Sequence, residues 1–321
     1  MTNPAESPAD GRVTVTDAER EGYSESAPLL FKLARLWTRY GPRAKGAVPR
    51  KVGRKCLSKM RCFVRTEAGA LLAAHPGNLD VAAHIWAHRG TYEPQIVDAC
   101  FGLIRDGESV LDIGANVGFI SLDLIARCNA AGKAISVAAF EPQPELARKI
   151  EISRLANAYE NLSVWNLLLG DEDGTRELFI PAHAIHASVI SRSDDAESVT
   201  CPIRRLDGML DTGDVPAPAL IKIDVEGAEM IVFSGASKLL SEHQPTIVFE
   251  SDANMERFDY SRADLFKVFT DAGEYEFLRI LDDRSGCIEI ASGTDPNTLP
   301  DGNYVALSPR HAERKAGMLA G

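Results

Sequence analysis

Five apolar, strand-sized runs recur along the middle of the chain: "SVLDIGA", "AISVAAFEP", "LSVWNLLLG", "ALIKIDVEG" and "PTIVFES". Runs this short and this evenly apolar are buried on both faces, and helices between them supply the crossovers that parallel neighbours need. Helix-patterned segments follow the first run to about Ala131 and the second from Pro144 to about Ala156. The chain is therefore expected to be α/β, a mostly parallel sheet with helices on both faces and right-handed crossovers. At 321 residues and 45% hydrophobic, it is large enough to bury such a core.

The flanks read differently. Residues 1–28 are rich in Ser, Pro, Ala, Asp and Glu without periodicity and are expected to form a flexible tail. From Leu29 to Arg65 there are many Lys and Arg and no acid, and a basic N-terminal helical extension is expected over 29–67. Leu30, Leu33, Trp37 and Tyr40 fall at helical spacing, with Lys32, Arg35 and Arg39 on another face. Such a helix packs its stripe on the main domain, or lies against an anionic membrane surface or a phosphate-bearing substrate. The main domain is placed at 68–310, with a short C-terminal tail at 311–321. Between Asp171 and Asp207 the period shifts towards two, which points to an inserted hairpin. "YEFLRIL", "GCIEIAS" and "NYVALSP" are expected as antiparallel strands at one edge.

A net charge of -11 argues against a surface built wholly to bind a polyanion. Six scattered cysteines form neither a CxxC pair nor a disulfide ladder. With no signal-like N-terminus and no apolar stretch of membrane-spanning length, the expected location is cytoplasmic.

The turn after the first run carries the chemistry. A dinucleotide fingerprint starting at Gly114 would need glycine at 116 and 119, where this chain has Asn116 and Phe119. What stands there is Asp112-x-Gly114-x-Asn116-x-Gly118, a tight glycine turn leading into a helix. Unpaired amides at that helix start suit an anionic group, and the Asp112 carboxylate suits a cationic one. Glu141 closes the next strand, where a carboxylate can accept hydrogen bonds from vicinal ribose hydroxyls. A nucleoside joined to an amino acid, as in S-adenosylmethionine, satisfies both features better than a pyrophosphate does.

"VLDIGANVGFISL", "AFEPQPE", "NLSVWNLLLGDEDG", "RRLDGML", "LIKIDVEGAEMIVFSGA" and "PTIVFE" resemble, in order, the FkbM family of S-adenosylmethionine-dependent methyltransferases. The resemblance covers roughly Gly90 to Glu250. It implies a class I methyltransferase (Rossmann-like) three-layer sandwich, its mostly parallel seven-stranded sheet ending in an antiparallel last strand. It also implies methyl transfer to a hydroxyl of a sugar or glycan, a polyketide or a related metabolite. On the same resemblance, Glu93 in "GTYEP", together with Tyr92, covers the methionine end of the cofactor; a turn-forming role is the alternative.

In "LIKIDVEGAE", alternate residues share a face, so Lys222, Asp224 and Glu226 project together from the carboxyl end of a central strand. Lys222 needs a paired acid in its apolar run, and Asp224 is the nearest in sequence. Methylating an alcohol requires its proton to be taken as the oxygen attacks, which makes Asp224, Glu226 and Glu229 candidates for base, substrate ligand or cofactor contact. Glu229 alternatively serves as an N-terminal helix charge. His186 and His183, in the inserted hairpin, are the histidine candidates for the base. Mg²⁺ on Asp224 with Glu250 or Asp252 is an option for lowering the hydroxyl pKa. His84 and His88 lack the HExxH context for zinc.

Two rival functions remain. A nucleic-acid methyltransferase could use the basic segment as an arm, but "KIDVEG" lacks the Asn/Asp-Pro-Pro-aromatic box and no Pro-Cys nucleophile is present. A non-catalytic module could keep the fold only to bind S-adenosylmethionine.

Overall fold

The computed structural model describes residues 11–21, 23, 61–74, 81, 85, 90–180 and 197–320. Its strands, in chain order, are β1 (Cys62–Arg65), β2 (Leu71–Ala74), β3 (Ser109–Ile113), β4 (Ser136–Phe140), β5 (Leu162–Trp165), β6 (Leu168–Leu169), β7 (Gly174–Ile180), β8 (Glu197–Arg204), β9 (Leu220–Ile223), β10 (Thr246–Ser251), β11 (Glu276–Ile280), β12 (Cys287–Glu289) and β13 (Gly302–Leu307). The central sheet runs β12-β11-β13-β10-β9-β3-β4-β5. The pairs from β10 to β5 are all parallel, and β13 lies antiparallel between β10 and β11.

Strict alternation along these strands builds two apolar layers. Val110, Val137, Val164, Leu220 and Val248 face one way, towards the helices Pro94–Leu103, Phe119–Ala130 and Pro144–Ala156. Leu111, Phe140, Trp165, Ile221 and Phe249 face the other, against helices that include Ser237–His243 and Arg262–Ala272. This is the three-layer sandwich, and it explains why the central strands read as continuous apolar runs.

Four expectations are corrected. The sheet has eight strands among the described residues rather than seven, because a turn through Arg284 (φ 65°) and Gly286 (φ 119°) folds β12 back on β11. The N-terminal tail is not wholly free. The Asn166 N–H donates to the Gly11 carbonyl and the Val13 N–H to that of Val164. The Arg12 guanidinium also lies 4.2 Å from the Trp165 ring centre. These contacts cover the open edge of β5. The C-terminal segment is packed too, since His311 and Met318 are buried. Finally, the boundary at 67/68 cuts a hairpin, because β1 pairs with β2 across Thr66–Ala70. The amphipathic stretch from Leu30 to Tyr40 lies outside the described residues, as do His84, His88, His183 and His186.

The insertion is a small sheet of its own, β6-β8-β7, with β7 and β8 antiparallel. It stands beside the carboxyl ends of the parallel strands, where open α/β sheets bind ligands.

Candidate functional site

A cleft of about 280 Å³ opens at those strand ends. One wall is the glycine turn after β3. Gly114 adopts φ +74°, and a Cβ there would stand 1.9 Å from the Asp224 carbonyl oxygen. The turn and the loop after β9 are thus in backbone contact, which only glycine permits. The Gly114 and Ala115 N–H groups both donate to the Phe140 carbonyl. Gly118, at φ +77°, precedes the helix Phe119–Ala130 as its N-cap. Asn116 is left-handed (φ 53°) and its side-chain oxygen is buried without a hydrogen-bond partner.

Glu141 sits where the sequence places it, at the end of β4 on the cleft wall. Its two carboxylate oxygens accept from the Asn116 and Gln143 N–H groups at 2.8 and 2.9 Å. Burial pushes its pKa up to about 7, against the lowering effect of those amides and of Lys222. Each oxygen keeps a second lone pair for a ligand donor.

Asp112 differs from expectation. It is 1% exposed and is not among the residues lining the cleft. One of its oxygens accepts from the Ser121 hydroxyl at 2.6 Å, and the other stands 3.4 Å from Lys222 Nζ. Direct contact with a ligand ammonium is therefore corrected: Asp112 anchors the start of the helix and pairs with Lys222. Parallel register explains the pairing, because Asp112 and Lys222 are neighbours across β3 and β9. Asp224 is the more distant partner at 3.9 Å, so the acid paired with Lys222 lies across the sheet rather than along the strand. Burial opposes the Lys222 charge, yet Asp112, Asp224 and Glu93 outweigh it and hold the ammonium above the ordinary lysine range.

Asp224 and Glu226 both reach the cleft, joined there by Glu93, Glu250, Asp252 and Asn254. Asp224 is 30% exposed. Glu226 is left-handed (φ 58°) and accepts from Asn254 Nδ2 at 3.2 Å, which brings the loops after β9 and β10 together. Burial first, then the charges of Asp224 and Asp252, hold the Glu250 carboxyl well above the usual range. Glu229 turns away from this group. It is buried, accepts from the Val225 and Gly227 N–H groups and from the Tyr260 hydroxyl, and so closes its own loop. Glu93, also left-handed (φ 45°), is the N-cap of the helix Pro94–Leu103 and lines the cleft, while Tyr92 packs edge-on against Phe119.

Sequence reasoning weighed Glu250 and Asp252 only as metal ligands and passed over Asn254 and Arg176, which also line the cleft. For Asn254 the signal was positional, since "ESDAN" ends the strand beside "KIDVEG"; Arg176 in the inserted hairpin had none. Among the described residues no group of three His, Cys, Asp or Glu side chains could hold a metal ion, and Mg²⁺ finds no support. No helix among them is long and apolar enough to cross a membrane.

The residues present fit S-adenosylmethionine. The cleft carries six carboxyl groups, on Glu93, Glu141, Asp224, Glu226, Glu250 and Asp252, against the cations of Lys222 and Arg176. That balance suits a ligand with sulfonium and ammonium charges. The orphaned Asn116 oxygen offers an acceptor, and Glu141 keeps free lone pairs.

The chain is similar to several known proteins. A curated relative, the AMB antimetabolite synthetase AmbE of Pseudomonas aeruginosa, is 24% identical over 278 residues, 71% of this chain; the chain spans 13% of that protein's length. Among solved structures, the methyltransferase FkbM from Methylobacillus flagellatus is 17% identical with a TM-score of 0.43, over 71% of this chain and 53% of the other. A SAM-dependent methyltransferase from Aquifex aeolicus is 16% identical with a TM-score of 0.34, over 59% and 84%. The model of the methyltransferase FkbM domain matches residues 112–281, more than half of the chain and inclusive of every cleft loop from the glycine turn to Asn254, so the protein belongs to the FkbM methyltransferase family.

Proposed function

We propose that the protein is an S-adenosylmethionine-dependent O-methyltransferase acting on a hydroxyl of a sugar or glycan, a polyketide or a related metabolite. The observation that carries the reading is the partly exposed Asp224, seated on the floor of the cleft in backbone contact with the glycine turn. When bound, S-adenosylmethionine supplies an electrophilic methyl group on a sulfonium centre. Glu141 accepts hydrogen bonds from the ribose hydroxyls, and the glycine turn receives the amino-acid end. Asp224 takes the proton from the acceptor hydroxyl as that oxygen attacks, a contribution of roughly 100- to 10,000-fold. Glu226 and Asn254, tied to one another, orient the acceptor beside it. Glu93 closes the methionine end, and His186 is a second candidate for the proton.

Calorimetric titration of the folded protein with S-adenosylmethionine and with NAD tests the cofactor, followed by a screen of hydroxylated acceptors with a chelator present. The sulfonium cofactor is expected to bind, NAD is not, and Asp224→Asn should cut turnover by roughly 100-fold or more without weakening cofactor binding by a similar factor. Failure of the folded protein to bind S-adenosylmethionine, or methylation confined to nucleic acid, overturns the reading.

A further inference from the structure

Lys222 lies at the meeting point of the two loops that define the cleft. Its Nζ donates to the Gly114 carbonyl at 2.9 Å. The same ammonium stands 3.4 Å from Asp112 and 3.9 Å from Asp224, with 7% of the side chain exposed. Register dictates this. Lys222 is alongside Asp112 on β3 and Val248 on β10, and all three share the face that meets the helix Phe119–Ala130. One ammonium therefore touches the glycine turn through a carbonyl, the strand beneath that turn through a carboxylate, and the acid on the cleft floor through a second carboxylate. The absence of room for any Cβ at Gly114 shows that the two loops are held in contact rather than merely near each other.

A lysine needed only to neutralise Asp112 would have no reason to bond the turn. A hydrogen bond from a charged donor to a buried carbonyl instead fixes where that carbonyl, and the amides following it, point. We propose that Lys222 is a positioning residue whose ammonium ties the glycine turn to the Asp224 loop, and that the affinity of the site for the amino-acid end of its cofactor depends on this tie. The inference rests on the assignment of S-adenosylmethionine to this cleft.

Removing Lys222 alone would strand a buried Asp112 charge and endanger the fold. The experiment therefore uses the full chain with Asp112→Asn and Lys222→Met combined, which removes both charges. Melting checks the fold, and calorimetry compares S-adenosylmethionine with adenosine, which lacks the amino-acid end. The double variant should melt within a few degrees of the parent and bind S-adenosylmethionine roughly tenfold or more weakly, the loss expected of one charged hydrogen bond. Adenosine affinity should stay within about threefold, because Glu141 and its amides are untouched. Unchanged S-adenosylmethionine affinity overturns the proposal and leaves Lys222 as the counter-ion of Asp112. A parallel loss of both ligands overturns it too, as general damage to the cleft. If the double variant does not fold, Asp112→Asn alone decides: it leaves the bond to Gly114 in place and should keep S-adenosylmethionine affinity within about threefold, and a tenfold loss refutes the tie. A parent protein that binds adenosine but not S-adenosylmethionine defeats the cofactor assignment, and the inference with it, before any variant is compared.

Discussion

Three glycines share nearly the same left-handed backbone but not the same surroundings, and substituting each with alanine separates backbone strain from steric exclusion. Gly107, Gly114 and Gly118 have φ of +78°, +74° and +77°. At Gly107 a Cβ meets nothing within 4 Å, at Gly118 it meets the Ile150 side chain at 3.0 Å, and at Gly114 it meets the Asp224 carbonyl at 1.9 Å. Holding alanine in the left-handed region costs about 1 to 2 kcal/mol. Reduced freedom of the unfolded chain returns about 0.4 to 1 kcal/mol. Gly107→Ala should therefore destabilise by about 0 to 1.6 kcal/mol.

Gly114→Ala bears the same backbone term and adds the clash. Real Cβ contacts essentially never fall below 3.0 Å, so the Asp224 carbonyl or the glycine turn must move by at least the 1.1 Å that separates 3.0 from 1.9 Å. Because the obstacle is backbone rather than a flexible side chain, relief comes only by parting the two loops, at about 1 to 3 kcal/mol beyond the backbone term. With about 2 to 4 °C per kcal/mol for a domain of this size, Gly114→Ala should lower Tm by roughly 2 to 18 °C, against roughly 6 °C or less for Gly107→Ala. Gly118→Ala should fall between them. Urea unfolding followed by tryptophan fluorescence gives the energies, and calorimetry with S-adenosylmethionine should show a loss for Gly114→Ala and none for Gly107→Ala. If Gly114→Ala is no more destabilising than Gly107→Ala, the close contact between the turn and the Asp224 loop is refuted, and the coupling argued for Lys222 loses its footing.

Other perturbations have defined signs. With Glu141 raised to about 7 by burial, the folded protein holds a proton that the unfolded chain has released, so Glu141's contribution to stability declines as pH rises from about 4.5 to 7. Its capacity to accept from ribose hydroxyls grows over the upper part of that window, so S-adenosylmethionine affinity should rise between pH 6 and 8 in calorimetry; a flat or falling profile contradicts the role. Lys149 is buried, has only Glu145 at 3.9 Å among the described residues, and is lowered by burial to about 8. Lys149→Met should therefore stabilise the protein by about 2 kcal/mol at pH 7, with the gain shrinking above pH 8 and gone near 10.5; equal gain at pH 7 and pH 10.5 by urea unfolding would refute that account. Tyr260→Phe removes the hydroxyl that donates to buried Glu229 at 2.7 Å and should cost about 1 to 3 kcal/mol, read as a lower Tm; an unchanged Tm would mean that the two loop amides suffice.

The sheet was legible because its signal is local. Strands such as β3 and β9 alternate apolar layers on both faces, so each reads as an unbroken apolar run wherever it falls in the chain. Glu141 was legible because it directly follows such a run; there it accepts one amide from its own turn, Gln143, and one from the glycine turn after β3, Asn116. One edge was not legible, because what covers β5 is a pair of hydrogen bonds with a segment of no periodicity; at the other edge "GCIEIAS" read as an antiparallel strand, and β12 pairs there with β11.

Asp112 and Lys222 mark the deeper limit. Along the sequence, Asp112 stands before a glycine turn and looks like a ligand for a cation, while Lys222 stands two residues from Asp224 and looks like its partner. Which charges meet depends on the register between β3 and β9, set by apolar neighbours such as Val110 and Leu220 rather than by the charges themselves. A slip of one residue would turn Lys222 to the opposite face of the sheet. Because the apolar pattern excludes that slip, Asp112 is ion-paired with Lys222 and bonded by Ser121 within the protein, and the carboxylates that line the cleft come from elsewhere, the loops after β9 and β10 among them. On the proposed function, the cationic character of the ligand is met by Asp224, Glu226 and their neighbours rather than by the acid of the glycine motif.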